Sequence, residues 1–110
     1  ATKVAVSTAV MAVSDAGGDV MNAVWKSVSG AVMGASEVGE DLGAAAVTAV
    51  EGAIETAGKV GKTTDEAVKM AVGGAVEAAD KIGTEAGKSV RDALKAAASL
   101  PKDLVESALG

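Results

Sequence analysis

The chain has 110 residues, the size of one domain, and its 49% hydrophobic content is almost all Ala and Val, with Trp25 as the only aromatic residue. Because it contains neither Cys nor His, disulfides and thiolate metal sites are excluded and the commonest general base is missing, so we predict no enzyme, no metal and no cofactor. Ten basic and 15 acidic residues give a net charge of −5, which argues against nucleic acid as a partner, and no uncharged stretch reaches the roughly 18 to 20 residues of a membrane-spanning helix.

A spacing of 22 residues organises the chain. It relates one set of glycines and one set of alanines: Gly17, Gly39, Gly61 and Gly83, and Ala9, Ala31, Ala53, Ala75 and Ala97. Eleven residues make three helical turns, so two such blocks place the apolar residues on one arc of a helix. The spacing predicts an all-α fold, either one extended amphipathic helix or a helical hairpin broken near residues 39–43. It also predicts a single repeat domain over residues 1–110, with small-residue interfaces and a fifth unit that degenerates around Pro101.

One edge of the apolar arc alternates bulky and small residues every eleven positions. We predict that a neighbouring helix, offset by eleven residues, places its Val or Ile side chains over these glycine gaps. The candidate self-association residues are Gly17, Val28, Gly39, Val50, Ile54, Gly61, Val72, Val76 and Gly83. Each Gly inside a helix costs up to about 1 kcal/mol relative to Ala, so partner helices or a lipid surface would have to supply stability. The alternative is that the glycines mark turns between short helices.

Charge is scarce in the N-terminal half, residues 1–50, which holds two basic and five acidic groups. Met11 and Met33 occupy the centre of what should be a polar face. A helix that is apolar all round is typical of a buried helix, so we expect this half to lie inside an assembly or a membrane interface. Trp25, at the edge of the arc, is either a packing anchor or an interfacial anchor at a lipid headgroup layer.

The stretch TAGKVGKTT, residues 56–64, ends like a phosphate-binding P-loop. A P-loop needs Gly at the position of Thr56 and a buried strand before it, and neither is present. The corresponding positions elsewhere in the repeat replace Gly-Lys-Thr with Gly-Glu-Asp and Gly-Thr-Glu. We therefore predict no nucleotide partner here.

The second half, residues 51–110, is a charged amphipathic segment with eight basic and ten acidic residues. Opposite charges stand at helical spacing, which indicates a solvated helix face. These pairs are Glu55 with Lys59, Asp65 with Lys69, Glu77 with Lys81, and Lys88 with Asp92. The carboxylate clusters at 37–41 and 65–66 lack the spacing of a calcium loop, so we assign them to the same solvated face.

The periodicity resembles that of the eleven-residue-repeat helices of synucleins, exchangeable apolipoproteins, perilipins and late-embryogenesis proteins. Residues 72–76, VGGAV, and 61–68, GKTTDEAV, look synuclein-like. The resemblance implies an extended amphipathic helix that lies on a lipid surface.

Two functions follow from these patterns. The first is a structural subunit that self-assembles through its Ala, Gly and Val faces into a filament, tube, sheath or shell, with itself as the partner. The second is a protein that binds the surface of a membrane, lipid droplet or envelope. No signal peptide is visible, the start at Ala1 is compatible with processing, and both an extracellular and a virion assembly would fit.

Overall fold

Short turns interrupt the helical pattern of the computed structural model, which describes residues 2–110. These residues form six α-helices and no strand: α1 (Thr2–Asp15), α2 (Val20–Glu37), α3 (Leu42–Lys59), α4 (Thr64–Ile82), α5 (Thr84–Ala96) and α6 (Lys102–Leu109). The predicted all-α class is confirmed. The prediction of one extended helix or a single hairpin is wrong, because the chain reverses after each of its first helices and packs within 37 × 30 × 20 Å.

Glycine ends the first three helices. Gly17, Gly39 and Gly61 have φ of +75°, +73° and +81°, in the left-handed region that a Cβ disfavours. After each glycine, a backbone N–H donates to the carbonyl five residues earlier at 2.9 Å: Gly18 to Val13, Glu40 to Ala35, and Lys62 to Ala57. This is the Schellman arrangement, which satisfies carbonyls that the helix end leaves open.

A polar cap then starts each following helix. The side chains of Asp19, Asp41 and Thr63 accept hydrogen bonds from the backbone N–H three residues ahead, at 3.1, 3.2 and 3.1 Å. Glu66 also reaches back to Thr63, which completes a capping box. Glycine, cap and helix start therefore recur every 22 residues through these three turns. The turn at Gly83 differs because its backbone is extended and no side chain caps α5, and the five-unit repeat as a whole stays a prediction.

Helices stack in two layers. Each helix packs against the next one in sequence and against the one after that, and within residues 2–110 no other helix pair is in contact. The layers are therefore α1, α3 and α5 on one side and α2, α4 and α6 on the other. Contacts limited to neighbours along the stack are typical of a solenoid. In this order α1 and α2 begin the stack and α5 and α6 end it, while Ser99 and Pro101, between α5 and α6, line a surface hollow together with Lys3 of α1.

The core between the layers consists of small side chains. Its centre is a row of mid-helix residues spaced by 22: Val6, Val28, Val50, Val72 and Leu94, each at most 1% exposed. Ala46, Ala49, Ala53, Ala71 and Ala75 fill the spaces beside this row and are fully buried. With no Phe or Tyr to separate them, the helices approach closely, and glycine becomes necessary wherever backbones meet.

Candidate interaction surface

Trp25 lies where the backbones of α2 and α4 approach each other closely. Its ring lies against Gly73 of α4, and its carbonyl oxygen lies 2.5 Å from where a Cβ on Gly74 would stand. No side chain larger than hydrogen fits at Gly74 unless α2 moves away from α4. The structure thus gives Trp25 the packing role that the sequence offered as one alternative. Contact of Trp25 with lipid stays a prediction.

Two further glycines allow close approach between other helix pairs. Gly52 of α3 faces the backbone of Lys3, where a Cβ would lie 3.1 Å from the carbonyl oxygen. Gly43 of α3 faces Ala93 of α5, with a Cβ–Cβ distance of 2.8 Å. The packing glycines are therefore Gly43, Gly52, Gly73 and Gly74, all of them inside helices.

The predicted self-association residues take different positions. Gly17, Gly39 and Gly61 lie in turns, and Gly83 lies between α4 and α5, with no atom within 4 Å of an added Cβ at any of the four. Val28, Val50 and Val72 are fully buried in the chain's own core, while Ile54 and Val76 are half-buried against it. The alternating Val and Gly residues do not form one continuous helix edge. The valines lie in the middle of helices, and the glycines lie in or beside the connections between helices. Self-association through these residues stays a prediction without that packing argument.

An ion pair joins α4 to α5 across the turn at Gly83. The two terminal guanidinium nitrogens of Arg91 donate to the carboxylate of Asp80, at 2.8 and 2.9 Å. This hydrogen bonding lowers the pKa of Asp80 and raises the pKa of Arg91. Gly87 lies beneath the pair, since a Cβ there would meet the Asp80 carboxylate. Sequence reasoning missed this pair because its members stand eleven residues apart on different helices.

A second ion pair ties α1 to α3. Lys3 Nζ lies 3.0 Å from Glu55 Oε1, and this hydrogen bond, followed by the charge of Glu55, raises the pKa of Lys3. Glu55 was predicted to pair with Lys59 along its own helix, so the sequence identified the charge but not its partner. Of the four predicted pairs, Glu77 with Lys81 forms, at 3.5 Å.

The P-loop-like stretch forms the turn from α3 to α4. The backbone N–H of Lys62 donates a hydrogen bond to the carbonyl oxygen of Ala57, and the side chain of Thr63 caps α4. Both groups are therefore used in hydrogen bonds within the chain, as part of the turn. Thr56 is buried and donates to Gly52 within α3 at 2.8 Å. The turn is thus a helix connection of the same kind as those at Gly17 and Gly39.

Several hollows on the surface are open to solvent. One of about 320 Å³ lies between the start of α1 and the start of α3, lined by Thr2, Glu40, Asp41, Ala44, Ala45 and Thr48. Within residues 2–110, no three acidic side chains converge closely enough to hold a metal ion. Over the same residues, no helix combines the length and apolar character needed to cross a membrane.

The end of the stack formed by α1 and α2 exposes an uncharged surface. We call it the N-terminal end face and define it by eight exposed residues: Val4, Ala5, Thr8, Ala9 and Ala12 of α1, and Gly30, Met33 and Gly34 of α2. Val4 is 65% exposed and Met33 38% exposed, which is unusual for large apolar side chains in this chain. Lys26 and Glu37 border the α2 part of the face, and the exposed ion pair of Lys3 and Glu55 borders the α1 part, where it shares a surface hollow with Val4 and Thr8.

The opposite end of the stack is charged. Its exposed side chains include Lys88, Asp92 and Lys95 on α5, and Lys102, Asp103 and Glu106 on α6. A polar outer surface of this kind is what a solenoid end needs in order to stay in water. The two ends therefore differ in character: within residues 2–110, the eight residues of the N-terminal end face are uncharged, whereas the exposed positions named on α5 and α6 are charged.

Comparison of this chain with known proteins finds no matching family model, no matching curated protein and no matching solved structure. The surface and its chemistry therefore carry the functional argument.

Proposed function

We propose that the chain is a non-enzymatic structural subunit whose copies associate into a filament, tube, sheath or shell. The observation that supports this proposal is the N-terminal end face, where α1 presents five exposed residues without a charge. A solenoid end that lacks a polar outer surface exposes apolar area, and stacking against another helical layer removes that area from water. The partner most readily supplied is another copy of the chain.

The type of assembly depends on the number of contacts. One self-complementary contact produces a dimer and no larger species. A filament or sheath needs a second contact through which further copies can keep adding. Val38, 70% exposed in the turn between α2 and α3, is an apolar side chain outside the end face that a second contact could bury. We therefore expect dimers at low concentration and larger species as concentration rises.

Sedimentation velocity over a wide concentration range tests the proposal, with negative-stain electron microscopy of the most concentrated samples. The proposal predicts a weight-average mass that rises with concentration and particles of regular shape. A chain that sediments as a monomer at every concentration and shows no particles would rule it out.

The alternative is a protein that binds lipid surfaces, and three exposed apolar side chains favour it: Val4, Met33 and Val38. The broader apolar arcs of the helices are buried in the core, so full contact with lipid would require the helices to separate. Separation would pull Trp25 away from Gly73. Vesicles should then change the fluorescence of Trp25, the only aromatic residue, and an unchanged emission spectrum with vesicles of every charge would count against this function.

A further inference from the structure

The internal packing of the stack indicates what covers its open end. Gly30 and Gly34 of α2 correspond to Gly74 and Ala78 of α4, which lie 44 residues later. Gly74 and Ala78 are buried in the stack, whereas Gly30 and Gly34 are exposed. Inside the stack, α2 covers the edge of α4 that carries Gly74. The corresponding edge of α2, which carries Gly30 and Gly34, would therefore be fitted by another helix with small residues on its contacting face.

A second copy of the chain supplies such a helix. We propose, building on the proposed self-association, that two copies pair around a twofold axis through their N-terminal end faces. In this pair, α1 of each copy lies on α2 of the other. The two stacks then continue each other's layers, and the apolar surface of both is buried at one contact.

The height of each residue along the helix axes, here called its level, defines which residues meet. α1 ends at Asp15 and α2 begins at Val20 across one tight turn, so Val4, eleven residues before Asp15, is level with Ala31, eleven after Val20. A twofold axis parallel to the helices preserves these levels between copies. It places the exposed Val4 side chain against the gap that the partner opens at its own Gly30 and Gly34.

Charge placement favours this pairing over a head-to-tail one. The α2 part of the face carries no charge between Lys26 and Glu37. By the same levels, Lys26, six residues after Val20, meets the partner's Ala9, six residues before Asp15, and its long side chain reaches water at the edge of the contact. A head-to-tail contact would instead press Val4 and the alanines onto the charged α5 and α6, whose side chains would lose water without gaining partners.

The size of the face sets the expected strength. Five of the eight residues of the face are Ala or Gly, whereas a standard interface uses about 20–30 residues and buries about 800 Å² of accessible surface per partner. The contact is therefore smaller than a standard interface. A reversible, concentration-dependent dimer fits a contact of this size.

Substitution at the centre of the contact provides the first test. Val4→Glu places a charge in the contact and, because Val4 is largely exposed in the single copy, should leave the fold intact. We expect sedimentation equilibrium to show a dissociation constant at least about tenfold higher for Val4→Glu than for wild type. Ser89→Glu, on the exposed surface of α5, is the matched control and should associate like wild type. Circular dichroism and thermal melting of both variants check the fold.

Disulfide trapping tests the geometry, since the chain has no Cys of its own. Mixing and oxidising the variants V4C and G34C should give a cross-linked heterodimer, whereas V4C mixed with S89C should not. Because V4C and G34C are carried by separate chains, a disulfide between them can only join two copies.

The outcomes separate this inference from the proposed function. If wild type associates and Val4→Glu associates equally well, the end-face pairing is overturned while the proposed function stands. If wild type is a monomer at every concentration, both are overturned. If the monomer instead binds phosphatidylcholine vesicles and Val4→Glu abolishes that binding, the occupant of the face is lipid, and the second copy is excluded.

Discussion

Adding one methyl group at Gly74 should separate the two helices that pack most closely. The Cβ of Gly74→Ala would stand 2.5 Å from the carbonyl oxygen of Trp25 and 3.2 Å from its carbonyl carbon. Ordinary contacts at a Cβ begin at 3.4 Å, so α2 must move by nearly 1 Å. Backbone atoms cannot rotate away as a side chain does, and overpacking of this kind costs about 1–3 kcal/mol.

Helix propensity opposes that cost and has to be separated from it. Ala is favoured over Gly in a helix by about 0.8–1.0 kcal/mol, so Gly74→Ala alone should give a net loss of up to about 2 kcal/mol. Gly30 occupies the same position one stacking step earlier and has nothing within 4 Å of an added Cβ. Gly30→Ala should therefore stabilise by up to about 1 kcal/mol, and the difference between the two variants isolates the clash.

The assay is thermal unfolding by circular dichroism at one low protein concentration. A difference of about 1–3 kcal/mol corresponds to about 4–12 °C in melting temperature for a domain of this size. Gly52→Ala should lie between the two, because its nearest backbone contact is 3.1 Å, to Lys3 in the first helix. Since Gly30 belongs to the N-terminal end face, Gly58→Ala, at an exposed position outside it, is a second control. A melting temperature for Gly74→Ala at or above that of Gly30→Ala would refute the close-approach argument.

Three further variants test the turns and the ion pair. Gly61→Ala should destabilise the fold by about 1 kcal/mol or more in urea unfolding, because its φ of +81° lies in the left-handed region. Thr63→Ala should cost about 1 kcal/mol in the same assay, since it removes the capping box of α4. Asp80→Asn should lower the melting temperature at neutral pH but not in strong acid. Arg91 lowers the pKa of Asp80, so the contribution of the carboxylate is present above the ordinary Asp value of about 3.9 and is lost as pH falls through the lowered pKa.

Each of these variants has a matched control in the chain. Gly58→Ala, three residues before Gly61 with a free Cβ position, should not destabilise, and Thr64→Ala leaves the cap oxygen in place. Asp92→Asn removes an exposed carboxylate that is not hydrogen-bonded to Arg91. If a control loses as much stability as its variant, the proposed cause is wrong for that position.

The helix class was readable from the sequence because the period of the apolar residues is a local property. The arrangement of helices was not, and Gly61 shows why. Glycines spaced by 22 residues fit a continuous helix edge and a series of helix ends equally well, and only their backbone conformation separates the two. The Asp, Asp and Thr caps two residues after Gly17, Gly39 and Gly61 were the available signal for turns.

Charge gave a better guide to the surface than to the contacts. The uncharged run in α1 was visible in the sequence, and in the structure α1 does present an uncharged face to the outside. Which charged residues pair between different helices depends on how the layers stack, and a local sequence pattern does not predict that. Asp80 with Arg91 and Lys3 with Glu55 are of this kind.

The small core links the stability of the fold to its assembly. Val and Ala bury less apolar area per residue than Leu or Phe, so each contact between stacked helices adds little free energy of stabilisation. The loss or gain of one such contact is therefore a large fraction of the total. In a solenoid, a terminal helix has only one neighbour in its layer, and α1 lacks even the polar outer surface that would suit water. Pairing at the N-terminal end face gives α1 and α2 the neighbour that α3 and α4 already have. Because only the folded chain presents this face, association should raise the melting temperature with protein concentration, and Val4→Glu should remove that dependence.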